Sequence, residues 1–115
     1  MVDVKLFSVV IDCADPPSLS EFWKAFTGYR LDHGDDEWVS LLAADGSARI
    51  GFQKVPEGKV VKNRVHMDFA ASDEEATAKE IEALGATRLW VSEDPGDPFV
   101  VLADPEGNEF CIVRG

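Results

Sequence analysis

Ser8 laid over His66, a shift of 58 positions, aligns the chain with itself. On each side an apolar strand ends in a small residue and Asp, a helical segment follows, then a Gly and further strands. A chain that reads twice folds into two copies of one unit. The strands Leu6 to Cys13 and Val65 to Ala71 open the copies, and Ala14-Asp15 and Ser72-Asp73 close them.

The helices carry their own stop and start signals. Asp15 is placed to cap the first, with Pro16 at its first position, and Leu19, Phe22, Trp23 and Phe26 recur at i, i+3, i+4 and i+7 before Gly28. Ser72 with Glu75 three residues on has the form of a capping box for the second. There Thr77, Ile81 and Leu84 supply a thinner stripe and Gly85 the stop. Three strand candidates follow each helix: Arg30 to His33, Glu37 to Ala44 and Ala48 to Val55, then Thr87 to Ser92, Phe99 to Ala103 and Glu109 to Val113. The expected fold is α+β, two β-α-β-β-β modules forming a curved eight-stranded mixed sheet around one cavity. The modules span residues 1–56 and 63–115 of one domain, and the basic stretch with Pro56 and Gly58 places a linker at 57–62.

Period-two alternation decides which side chains look away from the helices. It sends Phe7, Val9, Ile11 and Cys13 to the first helix and Ser8, Val10 and Asp12 to the open face. In the fifth strand Val65, Met67 and Phe69 are expected to cover the second helix, leaving Arg64, His66 and Asp68 open. Trp38, Ser40, Leu42, Arg49, Gly51, Gln53, Glu109, Cys111 and Val113 complete the open set, while Trp90 could serve either side. The acidic run Asp32 to Glu37 lacks the spacing of a calcium loop and reads as a solvated hairpin.

The paired modules, the strand Val65-His66-Met67-Asp68-Phe69 with its lead-in Lys62-Asn63-Arg64, and the closing run from Leu102 through Asp104-Pro105-Glu106-Gly107-Asn108 to Val113 resemble the vicinal oxygen chelate superfamily. The resemblance is to its small glyoxalase-like and bleomycin-resistance-like members. It implies a chain that is a lyase, an isomerase, a dioxygenase or a protein that sequesters a small molecule, and it implies a homodimer. Metalloenzymes of this superfamily take ligands from the first, fourth, fifth and eighth strands, which fall here on Ser8, Gly51 or Gln53, His66 and Cys111. Only His66 is retained, so no bound metal and no cofactor are expected. Completing a different site around His66 and Cys111 with Gln53, Glu109 or Asp68 stays open.

His66 oriented by Asp68 is the candidate for acid-base chemistry, because imidazole titrates near neutrality and a carboxylate can hold its ring. Trp38, Gln53, Arg64 and Cys111 are the candidate ligand contacts, Trp38 by stacking on a flat group and Arg64 by clamping a carboxylate. The favoured reading is a protein that binds or sequesters a small organic ligand. A metal-independent lyase or isomerase using His66 is the alternative, and a metal-dependent glyoxalase or dioxygenase the next.

Composition narrows the partners. Among 115 residues, 22 carboxylates against 11 Lys and Arg give a net charge of −11, which repels a phosphate backbone and argues against nucleic acid. No apolar run reaches the ~18 residues of a membrane span. With no export signal at the opening, a cytoplasmic location is expected, and there Cys13 and Cys111 would be reduced thiols.

Overall fold

Four apolar side chains on one stripe make the first helix and fix what it covers. In the computed structural model, which describes residues 2–115, α1 spans Pro16–Thr27. The Asp15 carboxylate accepts from the Ser18 N–H at 3.1 Å, and Gly28 closes the helix at φ 72°, a conformation open to residues without a Cβ. Leu19, Phe22 and Trp23 are buried with Val39, Leu41, Ile50 and Phe52, and the Trp23 and Phe52 rings lie 6.3 Å apart. The strands are β1 (Val9–Cys13), β2 (Arg30–Gly34), β3 (Trp38–Leu42) and β4 (Arg49–Lys54), ordered β1-β4-β3-β2 with β1 parallel to β4 and the rest antiparallel.

The second unit repeats this order. Its elements are β5 (Asp68–Ala71), α2 (Glu74–Ala83), β6 (Thr87–Val91), β7 (Phe99–Ala103) and β8 (Glu109–Arg114), with the sheet ordered β5-β8-β7-β6 and β5 parallel to β8. The eight expected strands are thus present, hydrogen-bonded as two four-stranded mixed sheets. Contacts divide the chain into two compact units, one ending at Gly58 and the other spanning Lys59–Gly115.

The second helix departs from its sequence pattern. Asp73, not Ser72, is the cap, its carboxylate accepting from the Ala76 N–H at 3.0 Å. The buried stripe is Glu74, Ala78 and Ile81, while Leu84 is exposed. Glu74 tolerates burial because Arg114 of β8 donates two hydrogen bonds of 2.9 Å to its carboxylate.

Both opening strands are shorter than alternation suggests, each for a local reason. Upstream of the Val9↔Ile50 pair, β4 has already given way to the Asp45-Gly46 turn, so Leu6 and Phe7 have no parallel partner and Phe7 is 72% exposed. Upstream of the Asp68↔Cys111 pair, Asn63 holds the chain off the ladder. Its N–H donates to both Glu109 carboxylate oxygens at 3.1 Å, and its side-chain amide donates to the Glu109 carbonyl at 3.2 Å. The chain bends at Arg64 and Val65, leaving Val65 79% exposed rather than packed on α2.

The closing Asp-Pro-Glu-Gly-Asn segment is a structural turn. The Asp104 carboxylate, 3% exposed as a residue, accepts from the N–H groups of Glu106 and Asn108 and from the Asn108 side-chain amide at 2.9–3.1 Å. Gly107 supplies the φ of 91° that the reversal needs. The motif sets the register of β7 against β8 and thereby the position of Cys111.

Candidate functional site

On the second sheet the open face gathers the titratable groups. Phe110 and Ile112 of β8 are buried on the helix side, so Glu109, Cys111 and Val113 point the other way. Asp68 is the direct neighbour of Cys111 across the parallel ladder, and His66 lies two residues upstream of Asp68. The His66 Nε2 is 3.4 Å from the Asp68 Oδ1, and one donor atom from each of His66, Asp68 and Cys111 lies within 4.8 Å of the other two. Among the described residues this is the one such cluster of three His, Cys, Asp or Glu side chains.

The three differ in freedom. Cys111 is 8% exposed on an interior strand, and burial, with the adjacent Asp68 carboxylate and the thiol's hydrogen bond to it, pushes its pKa up. The charge on Lys62 opposes that shift. An unliganded thiol so placed stays protonated and is a poor nucleophile at neutral pH. The His66 and Asp68 side chains are roughly half exposed, at 45% and 54%. Arg64 is exposed in the bend before His66 and makes no ion pair with Asp68, whose ionic neighbour is His66.

Glu109, a possible further donor, is committed elsewhere. Burial alone would raise its carboxyl pKa, but hydrogen bonds from Lys59, at 2.8 Å, and from the Asn63 N–H outweigh that and hold it low. The Lys59 ammonium also donates to the Val61 carbonyl, so the pair closes the start of the unit rather than opening a site.

The first sheet's open face has another character. Trp38, Ser40 and Leu42 of β3 share it with Arg49, Gly51 and Gln53 of β4, and Trp38 pairs with Gln53 across the ladder. The Trp38 indole lies over Gly51: a methyl group there would come within 2.5 Å of the ring's Cη2 and 2.9 Å of its Cζ2. Arg49 donates to Asp32 at 2.6 Å and to the buried Ser40 hydroxyl at 2.7 Å, and its guanidinium lies 4.9 Å from the centre of the Phe7 ring. Gln53 is exposed at the end of this row.

The four metal-ligand positions named above therefore do not fit the superfamily's metal centre. Ser8 precedes β1, and Gly51 has no side chain and no room for one beneath Trp38, which leaves only His66 and Cys111 of the four. Gln53 belongs to the first unit, beside Trp38.

One pair of open-face residues, Trp90 and Phe99, is only half legible in the sequence, where alternation leaves Trp90 to either side and does not place Phe99. Arg88 faces α2, where it binds Glu75 at 2.8 Å and Glu82 at 2.7 Å, and strict alternation would put Trp90 on that same side. A bulge between Arg88 and Trp90 resets the phase, so Trp90 pairs with Val101, on the face of Cys111. Its ring meets Phe99 edge-on at 5.1 Å and remains 54% exposed. The first sheet has the same device between Leu31 and His33. A repeat-aware comparison of β2 with β6 was the only signal available for it.

The model of the glyoxalase-like domain matches residues 8–113. No curated protein sequence matches the chain. Among solved structures, a bleomycin-binding protein from bleomycin-producing Streptomyces verticillus, complexed with copper(II)-bleomycin, is 22% identical, with 100% of this chain and 99% of that one covered and a TM-score of 0.70. A glyoxalase/bleomycin resistance protein/dioxygenase family enzyme from Burkholderia phytofirmans PsJN is 23% identical over 96% of this chain and 98% of its own, with a TM-score of 0.78. A variant of the fosfomycin resistance protein FosX from Listeria monocytogenes, complexed with Mn(II) and 1S,2S-dihydroxypropylphosphonic acid, is 14% identical over 100% and 92%, with a TM-score of 0.81. At these identities the likeness is one of fold.

Proposed function

The chain belongs to the glyoxalase-like domain family of the vicinal oxygen chelate superfamily, and from that membership we propose that it binds a small organic ligand on its open sheet faces and holds it without the superfamily's four-position metal centre. The observation that carries this reading is Trp38 lying over Gly51. A position used for a ligating side chain in metalloenzymes of the fold is here the seat of an indole, which offers a flat group a surface to stack on. On the first sheet Gln53 offers a polar contact beside Trp38; on the second, Arg64 and Cys111 offer polar contacts and Trp90 with Phe99 an aromatic surface. With a net charge of −11, neutral or cationic ligands are favoured. The same reading makes the protein cytoplasmic and a homodimer, with no nucleic-acid or membrane partner; light scattering checks the dimer. No helix among the described residues is long and apolar enough to cross a membrane.

A second reading is favoured by the 3.4 Å between His66 Nε2 and Asp68 Oδ1. With the Asp68 carboxylate beside Nε2, the ring has its Nδ1 left to accept a proton from a bound substrate, as a lyase or isomerase without a metal requires. Turnover separates the two readings. A binder saturates and returns its ligand unchanged, and Trp38→Ala weakens it at least about tenfold, about 1.4 kcal/mol. An enzyme converts many equivalents and loses that activity in His66→Ala with its fold intact.

A further inference from the structure

We propose that His66, Asp68 and Cys111 form a binding site for one thiophilic divalent cation, zinc or its analogues cadmium and cobalt, contained within the second module. The donor chemistry selects the ion. A thiolate, an imidazole and a carboxylate suit zinc and match magnesium or calcium poorly, since those ions prefer all-oxygen shells. The thiolate and carboxylate charges together neutralise a divalent ion, so its burial beside Cys111 leaves no net charge behind.

The spacing is close to what such an ion needs. With bonds of about 2.0–2.3 Å, tetrahedral donors stand roughly 3.3–3.8 Å apart. The His66–Asp68 pair is already at 3.4 Å, and the widest separation in the cluster, at most 4.8 Å, requires closure by about 1 Å. That movement is available where it is needed. Cys111 and Asp68 are fixed opposite each other in the ladder, whereas His66 precedes β5, between the points where Asn63 and Met67 bond to β8, and its half-exposed ring can turn about its side-chain bonds to close the distance. On binding, the Cys111 S–H bond gives way to an S–metal bond and its proton passes to water, so one proton is released per ion. Three protein donors leave a fourth position for water or a ligand atom.

This site shares two positions, His66 and Cys111, with the superfamily's centre and differs from it in its remaining donor and in drawing on the second module alone. Asp68 is not among the four positions named above, and all three donors lie in one unit. The first module provides an internal contrast. Ser8 and Val10 align with His66 and Asp68 in the repeat, and Gly51, ladder partner of Val10, occupies the place of Cys111. A hydroxyl, an isopropyl group and a glycine hold no cation. The proposal goes beyond organic-ligand binding, and it competes with the use of His66 as a base, since the metal would take the imidazole lone pair.

The test is titration of the metal-free full chain with Co²⁺ alone, following thiolate-to-cobalt charge-transfer absorption, with Zn²⁺ and Mg²⁺ as competitors. The expected result is saturation at one equivalent per chain, displacement by Zn²⁺ and not by Mg²⁺, loss of the band in Cys111→Ser and its retention in Cys13→Ser. The solvent-facing variants His66→Ala and Asp68→Asn, which leave the core untouched, should each weaken binding at least about a hundredfold, more than loss of an outer-shell partner. Absence of a charge-transfer band at one equivalent, a band that survives Cys111→Ser, or affinity unchanged in both His66→Ala and Asp68→Asn would each overturn the proposal.

Discussion

On the open face of the first module an indole covers Gly51, and Arg49 is tied to Asp32 and Ser40; at the equivalent points of the second, His66, Asp68 and Cys111 come within 4.8 Å of one another. The helix faces of the two sheets show no such divergence. Both are filled by apolar residues of the two central strands, Val39, Leu41, Ile50 and Phe52 in one and Val100, Leu102, Phe110 and Ile112 in the other. The helix face fixes the fold by burying apolar surface, and period-two alternation then presents a second set of residues that packing against the helix does not constrain. Duplicated scaffold and divergent chemistry are consequences of one geometry.

The largest expected effect tests the shared part. Trp23, 1% exposed against Phe52, has a thinner counterpart in α2, where Ala78 and Ile81 do the packing. Trp23→Ala should cost about 3–5 kcal/mol in chemical denaturation. A loss below about 1 kcal/mol would mean that α1 does not anchor its sheet.

The divergent part is sharpened by paired substitutions at Gly51 and Cys111. Gly51→Ala must displace the Trp38 ring from a 2.5 Å contact and is expected to cost about 1–3 kcal/mol and to move the Trp38 fluorescence. Cys111→Ala removes one atom from the face and should cost about 1 kcal/mol or less. Equal costs would break the comparison, because they would give both points the same packing role.

How much of this was legible in the sequence follows the same division. The repeat, the Asp15 and Gly28 signals and the stripe through Leu19, Phe22 and Trp23 rest on local spacing, and each appears as read. Alternation places His66 and Asp68 on the open face, and they do face away from α2 with Cys111, although His66 itself lies outside the strand. What alternation could not show were the events that reset or truncate it. The bulge before Trp90, the clasp of Asn63 on Glu109 and the end of β4 at the Asp45-Gly46 turn all depend on residues distant in sequence. The contact of Trp38 with Gly51 is of the same kind, joining neighbouring strands.

A smaller effect comes from Glu109, whose folded pKa is held below its ordinary value of 4.5. A depressed carboxyl stabilises the fold above the unfolded value, and that contribution is lost as pH falls through the folded one. Glu109→Gln should therefore lower stability modestly at neutral pH and change little well below the folded pKa, which flattens the acid limb of the stability profile below about pH 4.5. A steeper acid limb in the variant would contradict the Lys59–Glu109–Asn63 arrangement.

The most direct test of ligand binding on the open faces is an NMR titration with a small molecule found by thermal shift, following the three indole N–H signals and the two histidine rings. The account predicts saturable shifts at Trp38 or His66, an unmoved Trp23 indole in the core and an unmoved His33, with the ligand recovered unchanged. Shifts confined to His33 and the acidic hairpin, with Trp38 and His66 silent, would contradict it and place the protein's activity on its outer surface.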